Sequence, residues 1–331
     1  MTQQPPLQPT PVGAFRFNND SSNLEYYDGN QWVNVLSDST ITETGGTRGL
    51  FGGGYQSPAK RDFIEYVSID SAGTSVDFGN LIAANKDPSG LSSRTRGVFG
   101  GGDTGSAVDT IQTVNVATTG NAVDVGDLTA ARDYAAPMNS PTRGVFAGGS
   151  GTVNTIDYIT IASAGNAADF GDLLAAVSSA AGCSSPTRGI QAGGDPGVNT
   201  IQYVTIATTG NSSDFGDLGN ARRGNQGCSN AVRGIFGGGL PALNEVNYIT
   251  IASQGNAKDF GDTTNSMWLY ASMASSTRAL FGGGYNPSSN ATYSNIDKFQ
   301  IASAGNAQDF GDLTAVRRSF AALSNGNGGL G

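Results

Sequence analysis

The chain has 331 residues, 49 of them glycine, a formal charge of −9 and no histidine. That acidity argues against nucleic acid as a partner, because phosphate binding needs clustered Lys and Arg, and the missing histidine removes the commonest general base and transition-metal ligand. Hydrophobic residues at 37%, much of them Val, Ile and Phe in short alternating runs, still permit a β core; no apolar run is long enough to span a bilayer and the start does not read as a secretory signal, so synthesis and folding in a cytoplasm, without membrane insertion, are expected.

Residues 1–12 carry Pro5, Pro6, Pro9 and Pro11 among Gln and Thr. Such a stretch cannot bury apolar area and reads as a Pro-rich arm that tethers or orders against a partner. Residues 13–36 follow with two alternating runs around an Asn/Asp/Ser cluster, then Asp28-Gly29, a two-residue turn signal, leading into a third run. A three-stranded meander this small is marginal alone and needs an apolar face covered by something else. Phe15, Phe17, Tyr26 and Trp32 are expected to supply that face and to serve attachment or oligomerisation.

This segment resembles a small module of tail fibres and other appendage proteins of tailed bacteriophages. The residues that carry the likeness are Arg16, Phe17, Asn18, Asp20, Leu24, Glu25, Tyr26, Tyr27, Asp28, Gly29 and Trp32, about two dozen positions in span. The resemblance implies a virion protein that meets other virion proteins through its N-terminal module and is a homo-oligomer in the particle.

Residues 37–46 read as a linker, and from Thr47 the chain repeats. A run of Thr-Arg-Gly type ending in Gly-Gly, with Val232 in the Thr place of one copy and Ala279 in the first Gly place of another, centres on Arg48, Arg96, Arg143, Arg188, Arg233 and Arg278, at spacings of 48, 47, 45, 45 and 45 residues. A period in this range marks a solenoid or a propeller. A second motif, as in Thr155 to Leu173, follows each time with 12 residues from the Tyr158 position to the Phe170 position in every copy. Only the segment between the Gly-Gly and the Tyr position changes length, at 11, 10, 8, 8, 8 and 13 residues, so every insertion falls in one loop.

The copies resemble kelch repeats. The likeness rests on the Gly-Gly pairs, such as Gly53-Gly54 and Gly148-Gly149, on Tyr66, Tyr158, Tyr203 and Tyr248, and on Phe78, Phe170, Phe215, Phe260 and Phe310 where kelch usually has Trp. Thr113, Lys298 and Val125 depart from the pattern, which makes the chain a divergent relative. The fold class this implies is all-β: a six-bladed kelch-like β-propeller over residues 47–331, with the small β-meander module ahead of it.

Each blade is expected to hold four strands, a to d, with b at Arg143 to Gly149, c at Thr155 to Ala162, d at Ala168 to Leu173 and a, the innermost, around Ser178 to Ser184. The chain enters at strand b and ends on a strand of type a, residues 318–324, so that last strand is expected to pair with Arg48 to Gly54 and complete the first blade, leaving no open edge. On strand a, Leu91, Met138, Cys183, Cys228, Met273 and Leu323 fall at one depth, and the two cysteines read as buried thiols acting as small hydrophobes.

The repeated Asp77, Asp124, Asp169, Asp214, Asp259 and Asp309 and the six arginines read as blade requirements, since short acids satisfy turn N–H groups and Arg bridges strands through five donors. A catalytic carboxylate pair should occur once, so no enzyme activity, catalytic residue or cofactor is expected. No loop shows EF-hand spacing, and no metal site is expected. The variable b–c loops are longest in copies six, one and two, which adjoin if the ring closes. They bring Tyr285, Asn286, Asn290 and Tyr293, with Tyr55, Gln56, Lys60 and Arg61, and Asp103, onto one sector of one face, a mix suited to glycan or protein contacts. The leading expectation is a tail-fibre or tail-associated adhesin in the virion that meets host surface polysaccharide or protein. An architectural virion role as fibre segment, collar, nozzle or capsid decoration, and a cellular kelch-like interaction scaffold, are the alternatives.

Overall fold

The computed structural model describes residues 10–18, 23–34, 46–151, 153–163, 165–241 and 243–326. These are all-β: strands and turns account for the regular structure, and no helix occurs among them. The chain divides into two compact units, residues 1–42 and 43–331. The boundary falls within the stretch read as a linker; the linker up to residue 45 and the arm up to residue 9 lie outside the described residues.

The first unit is a three-stranded antiparallel sheet of β1 (Phe15–Asn18), β2 (Asn23–Tyr27) and β3 (Trp32–Asn34). Asp28 closes the β2–β3 turn by accepting the amides of Asn30 and Gln31. The register sets Phe15 opposite Tyr26, and Tyr26 opposite Val33, so these share a face with Phe17. Phe15 is 67% exposed, Phe17 60% and Tyr26 38%. Trp32 corrects the expectation. Paired with Tyr27, it lies on the opposite face, where the Arg16 guanidinium stacks on its ring at 4.3 Å and reaches Glu25 at 2.7 Å. Strand alternation forces the split, because Trp32 and Tyr26 stand one register step apart.

The second unit consists of antiparallel four-stranded sheets in the order a-b-c-d. Six occur among the described residues, numbered I to VI by strand b: Arg48–Gly52, Arg96–Gly100, Arg143–Ala147, Arg188–Ala192, Arg233–Gly237 and Arg278–Gly282. Sheet I takes its strand a from the C-terminus: Ala321–Ser324 pairs with Arg48–Gly52, setting Leu323 opposite Leu50. That strand is shorter than the expected 318–324, because Ser319 turns into the left-handed region at φ 58 and Arg318 instead bridges Tyr55.

Apolar alternation in strands b and c fills clusters that each draw on two consecutive sheets. Leu50, Ile64 and Phe78 of sheet I meet Phe99 and Val114 of sheet II, and the pattern continues until Leu280, Ile296 and Phe310 of sheet VI meet Phe51 and Val67 of sheet I. Phe51, Phe99, Phe146, Phe236 and Phe281 are fully buried, worth about 1.5–3 kcal/mol each relative to exposure. The strand a positions Leu91, Met138, Cys183, Cys228, Met273 and Leu323 are buried in six different clusters, and both thiols are free. The glycine after five of the six repeat arginines, with Ala279 in the sixth place, makes room for them: a Cβ on Gly144 would stand 2.6 Å from Leu91 of the preceding sheet.

Three sets of hydrogen bonds join consecutive sheets. The repeat arginines reach carbonyls at the end of strand c in the next sheet, at 2.7 to 3.1 Å, with Arg48 on Val116 and Ala117, Arg143 on Ile206 and Ala207, and Arg278 on Ile69 of sheet I. Four of them also stack on the tyrosine of their own sheet, at 4.4 to 4.7 Å. The repeated aspartates do not share this work: all six are exposed on strand d. The asparagine of the c–d turn does it instead, Asn166 accepting Asp127 N–H and Asn211 accepting Asp172 N–H of the preceding sheet. The third set lies just before strand a. Tyr134 N–H donates to Asp87, Ser179 to Tyr134, Gly224 to Ser179, Leu269 to Gly224, Ser319 to Leu269 and Asp87 back to Ser319, at 2.7 to 3.3 Å.

Candidate functional site

The b–c loops leave from the end of the sheets where that circuit of backbone bonds lies. Residue by residue, the position just before the circuit pairs with the position just after the Gly-Gly: Lys86 with Asp103, Ser178 with Asp195, Arg223 with Leu240, Trp268 with Tyr285 and Arg318 with Tyr55. The Gly-Gly pair makes this possible. Gly53 has φ 70 and a Cβ there would stand 2.5 Å from the Asn85 carbonyl, so no other residue lets the loop turn so tightly over strand a.

Two of the expanded loops fold as small hairpins in neighbouring sheets. In sheet I, Tyr55–Gln56 pairs with Ala59–Lys60, and in sheet VI, Tyr285–Asn286 pairs with Ala291–Thr292. Between their bases stands Arg318. Its backbone exchanges both hydrogen bonds with Tyr55, and its guanidinium lies 5.3 Å from the Tyr55 ring centre and 4.2 Å from the Tyr285 ring centre. The hairpins are held by their own side chains: Arg61 Nε donates to Gln56 at 2.9 Å, Tyr285 Oη to Asn290 at 2.7 Å, and Asn286 accepts the Ser288 amide.

The loop of sheet II adds a charged cluster. Lys60 Nζ donates to Asp103 at 2.5 Å, and Lys86 Nζ lies 3.2 Å from Asp103 and 3.6 Å from Asp87. Burial pushes the Asp103 carboxyl up, but hydrogen bonds from Lys60, Gly105 N–H and Lys86 outweigh it and hold it at about 2. Asp87 goes the other way. Burial raises it to about 6 against the opposing pull of Ser319, Tyr134 and Lys86.

Of the expected contact residues, Tyr55, Gln56, Lys60, Arg61, Tyr285, Asn286 and Asn290 stand on the two adjacent hairpins, and Asp103 joins them through Lys60. Tyr293 does not reach out with them. It closes the hairpin base by donating its amide to Gly284 O, and its ring packs on the cluster of Phe281 and Phe299.

Arg318, Lys86, Trp268 and Asp87 escaped the sequence reading. They occupy two adjacent positions at which the copies vary widely: Lys86-Asp87, Asp133-Tyr134, Ser178-Ser179, Arg223-Gly224, Trp268-Leu269 and Arg318-Ser319. Identity across copies marks what a sheet requires, so variation at one fixed position is the signal that could have found them.

The buried polar groups beneath the loops are structural. Arg132 pairs with Asp157, Arg222 with Glu245 and Arg317 with Glu65, at 2.5 to 3.5 Å. The strand c position of Asp157 also accepts the chain crossing from the preceding sheet, as at Thr129 and, through Gln202, at Leu174. Among the described residues no group of three His, Cys, Asp or Glu stands where it could hold a metal ion. The chain matches no family model, and no curated protein is significantly similar to it in sequence.

Proposed function

We propose that the second unit is a closed six-bladed kelch-like β-propeller in a tailed-phage virion protein, and that its loop face recognises the host surface as part of a tail-fibre or tail-associated adhesin. Sheets I to VI are the blades in this reading, with the C-terminal strand completing the first and the circuit through Asp87, Tyr134, Ser179, Gly224, Leu269 and Ser319 encircling the axis. The exposed Phe15, Phe17 and Tyr26 face of the meander serves attachment to other virion proteins or to further copies of the chain. Its likeness to phage appendage modules supplies the virion assignment.

One observation carries the recognition role. Two tyrosine-bearing hairpins of neighbouring sheets converge on a guanidinium, on the face where the chain places all its loop insertions. Rigid scaffolds present binding groups on such loops, and aromatic anchors ringed by amides suit a hydroxyl-rich partner. Purified protein is expected to adsorb to susceptible cells and to compete with infection. Binding only to virions lacking this protein, with no adsorption to cells, would assign it the architectural role instead.

A further inference from the structure

We infer that Arg318 is an anchor for a carboxylate, and that the loop face therefore takes a saccharide carrying isolated carboxylate groups; this rests on the recognition role proposed above. The guanidinium lies near two aromatic rings, Tyr55 at 5.3 Å and Tyr285 at 4.2 Å. Stacking on aromatic faces leaves the N–H edge as the part of the group that can make hydrogen bonds. Among the described residues that edge has neither an acidic partner nor a hydrogen-bond acceptor, and the side chain is only half-buried.

Every other cation around it is engaged. Lys60 and Lys86 share Asp103, Arg223 holds Asp195 at 2.5 Å, Arg317 holds Glu65, and Arg61 is turned onto Gln56. Arg318 is thus a positive charge flanked by two rings and, among the described residues, left without the acid, amide or carbonyl acceptor that its neighbouring cations have. A planar fork with two parallel donors fits a carboxylate edge-on.

The surroundings narrow the ligand further. The chain carries a net charge of −9, which repels a densely charged polyanion at long range and leaves one cation to receive one anionic group at contact. Gln56, Asn286 and Asn290 beside it offer amides, and the two tyrosines offer hydroxyls, which suit sugar hydroxyl groups. A hydroxyl-rich chain with single, spaced carboxylates, as in a uronic-acid polysaccharide, has this make-up.

The test is binding of the full chain to an immobilised set of neutral, carboxylated, sulfated and phosphorylated glycans, repeated after carbodiimide reduction of the carboxylates to alcohols. Binding is expected on carboxylated glycans only and to disappear on reduction. Arg318→Gln should weaken it about tenfold or more, and Arg318→Lys should not restore it, because an ammonium lacks the paired donors. The side chain makes no hydrogen bond that the fold uses, so both variants should unfold in the same cooperative transition as the unaltered protein, and Arg318→Lys, which keeps a cation between the rings, should melt closest to it. Glycan binding that survives reduction, prefers neutral, sulfated or phosphorylated sugars, or is indifferent to Arg318→Gln overturns the carboxylate assignment and leaves recognition standing. Absence of binding to every glycan overturns the assignment too; if the protein then also fails to adsorb to cells, the recognition role falls with it.

Discussion

At the scale of single residues, the repeated side chains and the unrepeated ones divide the labour. Arg48 and its five counterparts each tie one sheet to the next through carbonyls at the end of strand c, a job that any copy must do and that explains their recurrence. Arg96 and Arg278 hold the same bonds without a tyrosine beneath them, since Thr113 and Lys298 stand at that position, so the carbonyl contact and not the stacking is the common requirement. Asp87 is unrepeated. It sits in the left-handed region at φ 55, faces Lys86, Tyr134, Asp133 and Ser319, and is raised by burial to about 6. An acid raised in the folded state binds its proton more tightly there than in the unfolded chain. Its stabilising share is therefore complete below the usual carboxylate value near 4 and is lost as pH rises through about 6. Asp87→Asn keeps the shape and tolerates that backbone, so it should stabilise the protein at pH 7.5 by about 1–3 kcal/mol and make no difference at pH 4. Thermal melting at the two pH values checks this; an equal or lower melting temperature for the variant at pH 7.5 would refute it.

At the scale of elements, the c–d turn is the part whose role was hardest to read. Its Gly-Asn pair recurs in plain view, yet the repeated aspartates drew the attention: Asp124 does accept a local amide, from Gly126, while the bonds between sheets belong to the asparagines. The reason is physical: the bond crosses from one sheet to the strand d of the one before, a partner about 40 residues away that no local pattern announces. There the turn covers an outer edge. Gly120 N–H donates to Phe78 O and Ala122 N–H to Asn80 O, pairing part of a strand that otherwise offers itself to another chain. Close approach requires glycine on strand d: a Cβ on Gly171 would stand 2.6 Å from the Gly210 backbone, whereas one on Gly165 meets nothing within 4 Å. Both have comparable positive φ, 143 and 144. Gly171→Ala should accordingly cost about 2–4 kcal/mol and Gly165→Ala about 1 kcal/mol, read as denaturation midpoints. Equal losses would show that conformation alone, without the contact, dictates the glycine.

The strands themselves were legible because burial on both faces writes apolar runs into the sequence, and the lengthened loops were legible because a fixed period exposes any insertion. The Arg318 sandwich was not. Its guanidinium comes from the approach to the final strand and its two tyrosines from hairpins more than 30 and more than 260 residues earlier, and only the pairing of the chain ends brings them together. Trp32 was misplaced for the converse reason: aromatic content suggested a shared face, while register, which the sequence leaves open across a turn, decided otherwise.

At the scale of the whole molecule, the proposal depends on the two ends of the repeat region meeting. Residues Ala321–Ser324 pair with Arg48–Gly52, Leu323 and Ala321 fill the cluster of Leu50 and Phe99, and Arg317 lies buried against Glu65, with its pKa lowered to about 10 by burial despite that partner. Without these contacts the apolar faces of Phe51 and Leu50 would meet water, and the hairpins bearing Tyr55 and Tyr285 would lose the residue between them. The decisive measurement is thermal unfolding, followed by near- and far-ultraviolet circular dichroism, of the full chain beside a variant that ends at Arg318. Closure by the last strand predicts that the shortened chain loses its single cooperative transition and its fixed aromatic signal. A variant that melts at the same temperature, with the same spectra, would contradict it.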